Sequence, residues 1–99
     1  MSTYVVLINF TEQGIRTISD WPGRVDNARQ AIEKAGGSLQ QVFLTMGEYD
    51  VVAIVELPND EVAASVLLSL GRLGNLKSTT LKAFPEQEAR KIIQGLPSA

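Results

Sequence analysis

The chain contains neither cysteine nor histidine among its 99 residues. Without cysteine it forms no disulfide, thiolate nucleophile or sulfur-ligated metal site. Without histidine it lacks the commonest general base, the commonest metal ligand and the usual haem ligand. We therefore predict neither a metal site nor a cofactor, and the missing cysteine also fits a cytoplasmic location.

The chain also lacks a large excess of positive or negative charge. Nine basic and eleven acidic side chains give a net charge of −2 and are dispersed along the chain. A surface that attracts nucleic acid or anionic lipid needs concentrated basic charge, so we expect neither as a partner. The first four residues lack the basic start of a signal peptide, and no apolar run is long enough to span a membrane. We expect one soluble domain over residues 1–99.

Hydrophobic periodicity predicts the order β-α-β-β-α-β followed by a helical tail. Residues 4–10 are rich in β-branched and aromatic side chains, which favour a first strand. The polar residues 11–14, in which Gly14 permits a turn, and a linking segment follow before residue 21. Apolar residues spaced by three and four predict a first helix over 21–35, with Pro22 in its first turn and Gly36 at its end. The other predicted elements are strands over 39–46 and 50–57, a helix over 60–73, a strand over 77–84 and a short helix over 85–94.

This order is that of the ferredoxin-like α+β fold, in which two helices cover one face of a four-stranded antiparallel sheet. The central strands, however, are apolar on both sides. In strand three, Val51 and Val55 face one side, and Val52 and Ile54 face the other. An antiparallel sheet with one wet face alternates apolar and polar residues instead. We therefore predict a homo-oligomer, a dimer or higher, that buries the uncovered face.

The segment Gly47-Glu48-Tyr49-Asp50, which leads into an apolar strand, resembles the GYD-domain family of small bacterial and archaeal proteins. The resemblance continues through residues 51–60, 70–75 and 79–84. It implies a ferredoxin-like protomer of the dimeric α+β barrel type, in which two sheets pack face to face. It implies an architecture rather than a reaction, so no catalytic residue is carried over.

Glu48, Tyr49 and Asp50 form the sharpest cluster of candidate catalytic residues. The two carboxylates can share a strand face, with the Tyr49 phenol between them as a donor. In a catalytic interpretation, Asp50 acts as a base beside a cavity. In the structural interpretation, which we favour, Gly47 sets a turn, Tyr49 packs and Asp50 bonds to the backbone.

Candidates for a ligand site lie on strand one and the first helix. Phe10 and Trp21 would line a pocket between the helix and the sheet, and Arg24 would hold an anionic group by paired hydrogen bonds. Arg29 and Arg72 are alternatives for the same role. Each of these residues also has a purely structural interpretation. The aromatic residues would then pack in the core, and the arginines would lie on a solvated helix face.

Three functions remain open. The first is a non-enzymatic, homo-oligomeric module that binds a small molecule or a protein, and the missing catalytic residue types favour it. The second is a cofactor-independent oxygenase or isomerase that uses Tyr49 and Asp50 in a cavity. The third is a ligand sensor of the ACT type, which rests on topology alone.

Overall fold

A four-stranded antiparallel sheet in the order β2-β3-β1-β4 forms the centre of the molecule. The structure is a computed structural model and describes residues 1–98, so Ala99, the end of the predicted domain, lies outside the described residues. The α+β fold predicted from the sequence is confirmed. The strands are β1 (Ser2–Phe10), β2 (Ser38–Leu44), β3 (Val51–Leu57) and β4 (Leu76–Ala83). The helices are α1 (Glu12–Arg16), α2 (Trp21–Lys34), α3 (Asp60–Gly71) and α4 (Glu86–Gln94), with a 3-10 turn at Ile18–Asp20.

The ends of α2 and α3 follow from local chemistry. Pro22 lies in the first turn of α2, where its missing amide hydrogen leaves no bond unmade. Gly36 has φ of +88°, a left-handed conformation that glycine adopts without strain, and it ends the helix as predicted. Asn59 caps α3, since its side-chain oxygen accepts a hydrogen bond of 2.9 Å from the amide of Val62.

The segment 11–20, predicted as a turn and a link, is instead helical. Thr11 caps α1, and its hydroxyl accepts a hydrogen bond of 3.0 Å from the amide of Gly14. The turn was predicted because glycine permits one at Gly14. The structure gives glycine another role here, since a Cβ at this position would come within 2.0 Å of the Asn75 carbonyl oxygen. The close approach of two backbone segments, which no local pattern reveals, decides the conformation.

The core lies between one face of the sheet and the two long helices. Tyr4 and Val6 of β1 pair with Val55 and Ala53 of β3, and all four are buried on this face. Leu57 is the most deeply buried side chain, at 1% exposed. The helices contribute Ile32, Ala63 and Val66. No polar or charged residue is buried among residues 1–98, so apolar packing dominates the contact between the two layers.

The opposite face of the sheet carries a second apolar surface. Because successive side chains alternate, the neighbours of the buried positions point away from the helices. This uncovered face is apolar at its centre, with Val5, Leu7, Phe43, Val52, Ile54 and Leu81. Phe43 and Leu81 are 49% and 48% exposed. Two-sided apolar strands were predicted, and the structure identifies the side that the helices leave free.

Helix α4 projects from the rest of the chain. The radius of gyration is 15.2 Å, whereas a compact domain of this length has about 13 Å. The long dimension of 53 Å, against 31 and 19 Å for the others, reflects this projection. Ala89, Ile92 and Ile93 fall on one side of the helix, Leu96 follows its end, and the last three are largely exposed. The helix therefore presents an apolar stripe that the described chain does not bury.

Candidate functional site

A groove between α2, α3 and the helix-covered face of the sheet forms the clearest cavity of the molecule. It encloses about 100 Å³. Its floor is the sheet, with side chains such as Val6, Ile8 and Ala53, and its walls include Val25 and Leu67 of the two helices. Arg24, Asn75 and Ser78 are the polar residues of its lining. The groove is thus an apolar slot with few polar groups, the usual form of a small-molecule site.

The three ligand-site candidates of the sequence, Phe10, Trp21 and Arg24, all line this groove. Arg24 is held in place by two backbone carbonyl groups, since its Nη2 donates to Gly14 at 3.0 Å and to Thr17 at 2.9 Å. Its Nε is buried and has no acceptor among residues 1–98. No acidic side chain of these residues forms an ion pair with it. The positive charge therefore stands beside the groove without a counter-ion from residues 1–98.

The other candidate arginines lie elsewhere. Arg29 points to solvent and pairs with Asp26 at 3.1 Å. Arg72 follows the end of α3 and borders a shallower depression together with Tyr4 and Asp60. Neither contributes to the lining of the groove. Arg24 is therefore the charged side chain that the fold places there.

One end of the groove is closed by a junction between the start of α1 and the loop after α3. The amide of Thr11 donates to the Asn75 carbonyl oxygen at 3.1 Å, and its hydroxyl donates to the Gly74 carbonyl oxygen at 2.6 Å. The Gln13 side chain donates to the Asn75 side chain at 2.9 Å. We call this set of contacts, Thr11 to Gly14 against Gly74 and Asn75, the α1 junction.

Glu48, Tyr49 and Asp50 lie in the hairpin between β2 and β3, and none of them lines the groove. The Asp50 carboxylate accepts a hydrogen bond of 2.8 Å from the Phe10 amide, and the Asp50 amide donates to the Ile8 carbonyl oxygen at 2.8 Å. Gly47 has φ of +136°, which permits the turn. Asp50 thus joins the hairpin to the end of β1, while Glu48 is exposed. Their catalytic role stays a prediction.

Tyr4, Asp60 and Lys82 form a hydrogen-bonded cluster that was not predicted from the sequence. The Tyr4 hydroxyl donates to Asp60 at 2.5 Å, and the Lys82 ammonium donates to the same carboxylate oxygen at 2.8 Å. Burial and the bond to Asp60 raise the pKa of Tyr4, and the bond to Asp60 raises the pKa of Lys82. The Lys82 and Tyr4 donors lower the pKa of Asp60. The sequence contained one signal for this cluster. Lys82 places a charged side chain on the helix-covered side of β4, opposite Tyr4.

We expect Tyr4→Phe to lower the free energy of unfolding by about 1 kcal/mol at pH 7, because it removes one hydrogen bond. Asp60 has a lower pKa in the folded chain than in the unfolded one. The stabilisation that the ionised Asp60 contributes is therefore fully present above its unfolded-state pKa of about 4. It is lost as the pH falls through the lower pKa of the folded state. The loss caused by Tyr4→Phe should accordingly shrink at low pH. Urea unfolding at several pH values measures it.

Tyr49→Phe is the matched control for this experiment, since the Tyr49 hydroxyl makes no hydrogen bond within the described chain. It should leave stability nearly unchanged at every pH. Equal losses in the two variants, or a Tyr4→Phe loss that grows toward low pH, would contradict the assigned role of the cluster.

Residues 1–98 contain neither a cluster of metal-ligating side chains nor a helix suited to crossing a membrane. No group of three or more acidic side chains lies close enough together to hold a metal ion there. None of the helices in that part of the chain combines the length and the apolar character that crossing a membrane requires.

Comparison with known proteins gives consistent matches. Residues 4–93 match the GYD domain family. A protein of Thermus thermophilus, described as a glutamine synthetase and cystathionine beta-lyase binding protein, is 31% identical over 86 residues, which are 86% of this chain and 90% of that protein. A crystal structure of a Thermus thermophilus protein is similar with a TM-score of 0.54 and 29% identity, covering 86% of this chain and 95% of the other.

Proposed function

Because the chain belongs to the GYD domain family, as the match over residues 4–93 shows, we propose that it is a non-catalytic binding module. In this proposal it self-associates through the uncovered sheet face and docks onto a metabolic enzyme such as glutamine synthetase or cystathionine β-lyase. The observation that carries the proposal is the apolar surface on the side of the sheet opposite the helices. The partner class comes from the Thermus relative.

Self-association is supported by the chemistry of the uncovered face. Val52 lies between Leu7 and Phe43 of the neighbouring strands, and Ile54 lies next to Val5, so the apolar centre is continuous. Polar residues surround it, such as Thr3, Asn9 and Glu56. An apolar centre with a polar rim is the usual composition of a protein interface. A second copy of the chain supplies a surface of the same shape and character.

The size of the face indicates that more than the sheet takes part. Four strands about 4.8 Å apart and about seven residues long present roughly 450 Å² of flat surface. A stable interface takes about 800 Å² from each partner. The apolar residues Ile92 and Ile93 of α4, with Leu96 just after it, are exposed, and α4 makes few contacts with the other helices and strands. We therefore assign α4 to the same interface, packed against the second copy.

The mass in solution tests this part of the proposal. Light scattering after size-exclusion chromatography at about 10 μM should give at least twice the chain mass of 10.7 kDa. A monomer under these conditions would overturn the assigned interface.

The enzyme contact is assigned to the outer side of α3. Leu68 is 74% exposed there, the largest exposed fraction among the leucines, and its neighbours along the helix are the exposed residues Ala64 and Arg72. An exposed apolar patch often marks a protein contact, and arginine is enriched among the residues that carry binding energy in protein complexes. This side of α3 borders an open depression on the helix-covered side of the sheet, next to β4. A dimer formed through the opposite, uncovered face leaves it accessible.

We expect purified glutamine synthetase or cystathionine β-lyase, from the organism that encodes the chain, to bind it with a dissociation constant of about 1 μM or lower. Leu68→Glu should weaken this binding at least about tenfold, because a charge in a desolvated contact is unfavourable. Biolayer interferometry with immobilised enzyme measures both. Gln30→Glu, on the exposed side of α2, is the control and should bind as the unmodified chain does. Failure of both enzymes to bind at about 100 μM would refute the assigned partner class.

A further inference from the structure

We propose that the groove between α2, α3 and the sheet binds a small monocarboxylate with an apolar body, an aromatic or branched-chain carboxylic acid, whose carboxylate bonds to Arg24. This site is separate from the surfaces assigned to protein partners, so either proposal can fail while the other holds.

The size and lining of the groove set the apolar part of the ligand. An apolar cavity of about 150 Å³ accepts a benzene molecule. The groove here has about 100 Å³ and is partly open to solvent, so it suits a branched chain of about five carbons, or one small ring that extends toward the open side. The lining is apolar except for Arg24, Asn75 and Ser78. Trp21 and Phe10 supply flat surfaces that pack well against a ring. A sugar or a nucleotide, with many hydroxyl or phosphate groups, would find too few partners.

The charge of Arg24 sets the polar part. Arg24 is the charged residue of the lining, and no acidic side chain lines the groove to attract a cation. Its Nη2 is occupied by the carbonyl oxygens of Gly14 and Thr17, which fix the orientation of the guanidinium. Its buried Nε–H lacks an acceptor among residues 1–98. A carboxylate satisfies this donor and also neutralises the charge, which a neutral acceptor does not.

Trp21 makes the binding directly observable. It is the single tryptophan of the chain and it lines the groove, so a ligand there changes its fluorescence. Sodium benzoate and sodium isovalerate, titrated at constant ionic strength, should each produce a saturable change. Benzylamine has the size of benzoate but the opposite charge, and it should bind at least about tenfold more weakly. No saturable change with either carboxylate, or equal binding of benzylamine, would overturn the proposal.

Two variants test the assigned contacts independently. Arg24→Lys keeps the charge but removes the Nε donor, and it should weaken benzoate binding at least about tenfold. Ala28→Leu adds volume to the wall of the groove while leaving Arg24 intact, and it should abolish the benzoate response. Circular dichroism verifies that each variant is folded. Arg29→Lys, on the solvent side of the same helix, is the control and should bind benzoate as the unmodified chain does. Unchanged binding in Ala28→Leu would refute the location.

Discussion

A single glutamate in place of Val52 is expected to convert the dimer that we propose into a folded monomer. Val52 lies at the apolar centre of the uncovered face, between Leu7 and Phe43. In the dimer the new carboxylate would be buried without a partner, which we expect to raise the dissociation constant at least about 100-fold. Analytical ultracentrifugation over a range of concentrations measures the change.

The monomer itself should remain folded, because Val52 points away from the core residues Val51 and Ala53 on either side of it. Asn27→Glu, on the exposed side of α2, adds the same charge far from the sheet and should leave the dimer intact. Ile93→Glu on α4 should weaken the dimer by a smaller factor, since it lies outside the sheet. A Val52→Glu chain that still dimerises with unchanged affinity would show that the interface lies elsewhere.

Gly14→Ala is expected to lower the free energy of unfolding by about 3 kcal/mol. The added Cβ would come within 2.0 Å of the Asn75 carbonyl oxygen, an overlap that only a backbone shift can relieve. That shift would stretch the bonds of the α1 junction from Thr11 to Gly74 and Asn75. The large effect therefore comes from one methyl group placed between two backbone segments.

Gly23→Ala is the matched control for the glycine experiment. Gly23 also lies in a helix, but nothing lies within 4 Å of a Cβ built there. Alanine is the better helix former, so this variant should gain up to about 1 kcal/mol. Urea unfolding of both variants gives the comparison. Similar free energies of unfolding for the two variants would contradict this prediction, because they would show that the α1 junction accommodates the added methyl group at no cost in stability.

The elements with strong periodicity could be predicted from the sequence because their own residues determine them. Alternation in β3 and the three-and-four spacing in α2 depend on local side chains, and the turn at Gly36 depends on glycine alone. Helix α1 could not be predicted, since the approach of Gly14 to Asn75 joins segments about 60 residues apart. Alternation also could not identify which face of β3 the helices cover, because Val52 and Val51 have the same side chain.

The residues of the candidate site could be predicted from the sequence, but their positions relative to one another could not. An aromatic residue at the end of β1 and two residues in the first turn of α2 had ordinary core or surface interpretations. Only the sheet and the α1 junction bring Phe10, Trp21 and Arg24 to one groove. The Tyr4, Asp60 and Lys82 cluster likewise depends on the register between β1 and β4. The strand order itself is common to domains of many functions and does not favour an ACT-type sensor over a binding module.

Because α4 lies outside the core, its sequence can vary more freely than that of the elements that form the core. The core cluster draws its residues from β1, β3, α2 and α3, with Leu39 of β2 packed against it, and none comes from beyond Leu70. Substitutions in Glu86–Gln94 therefore change the outer surface without disturbing that packing. Related chains can diverge in this helix with little loss of folding stability. Selectivity for like or unlike subunits can thus evolve there while the sheet and its helices stay the same.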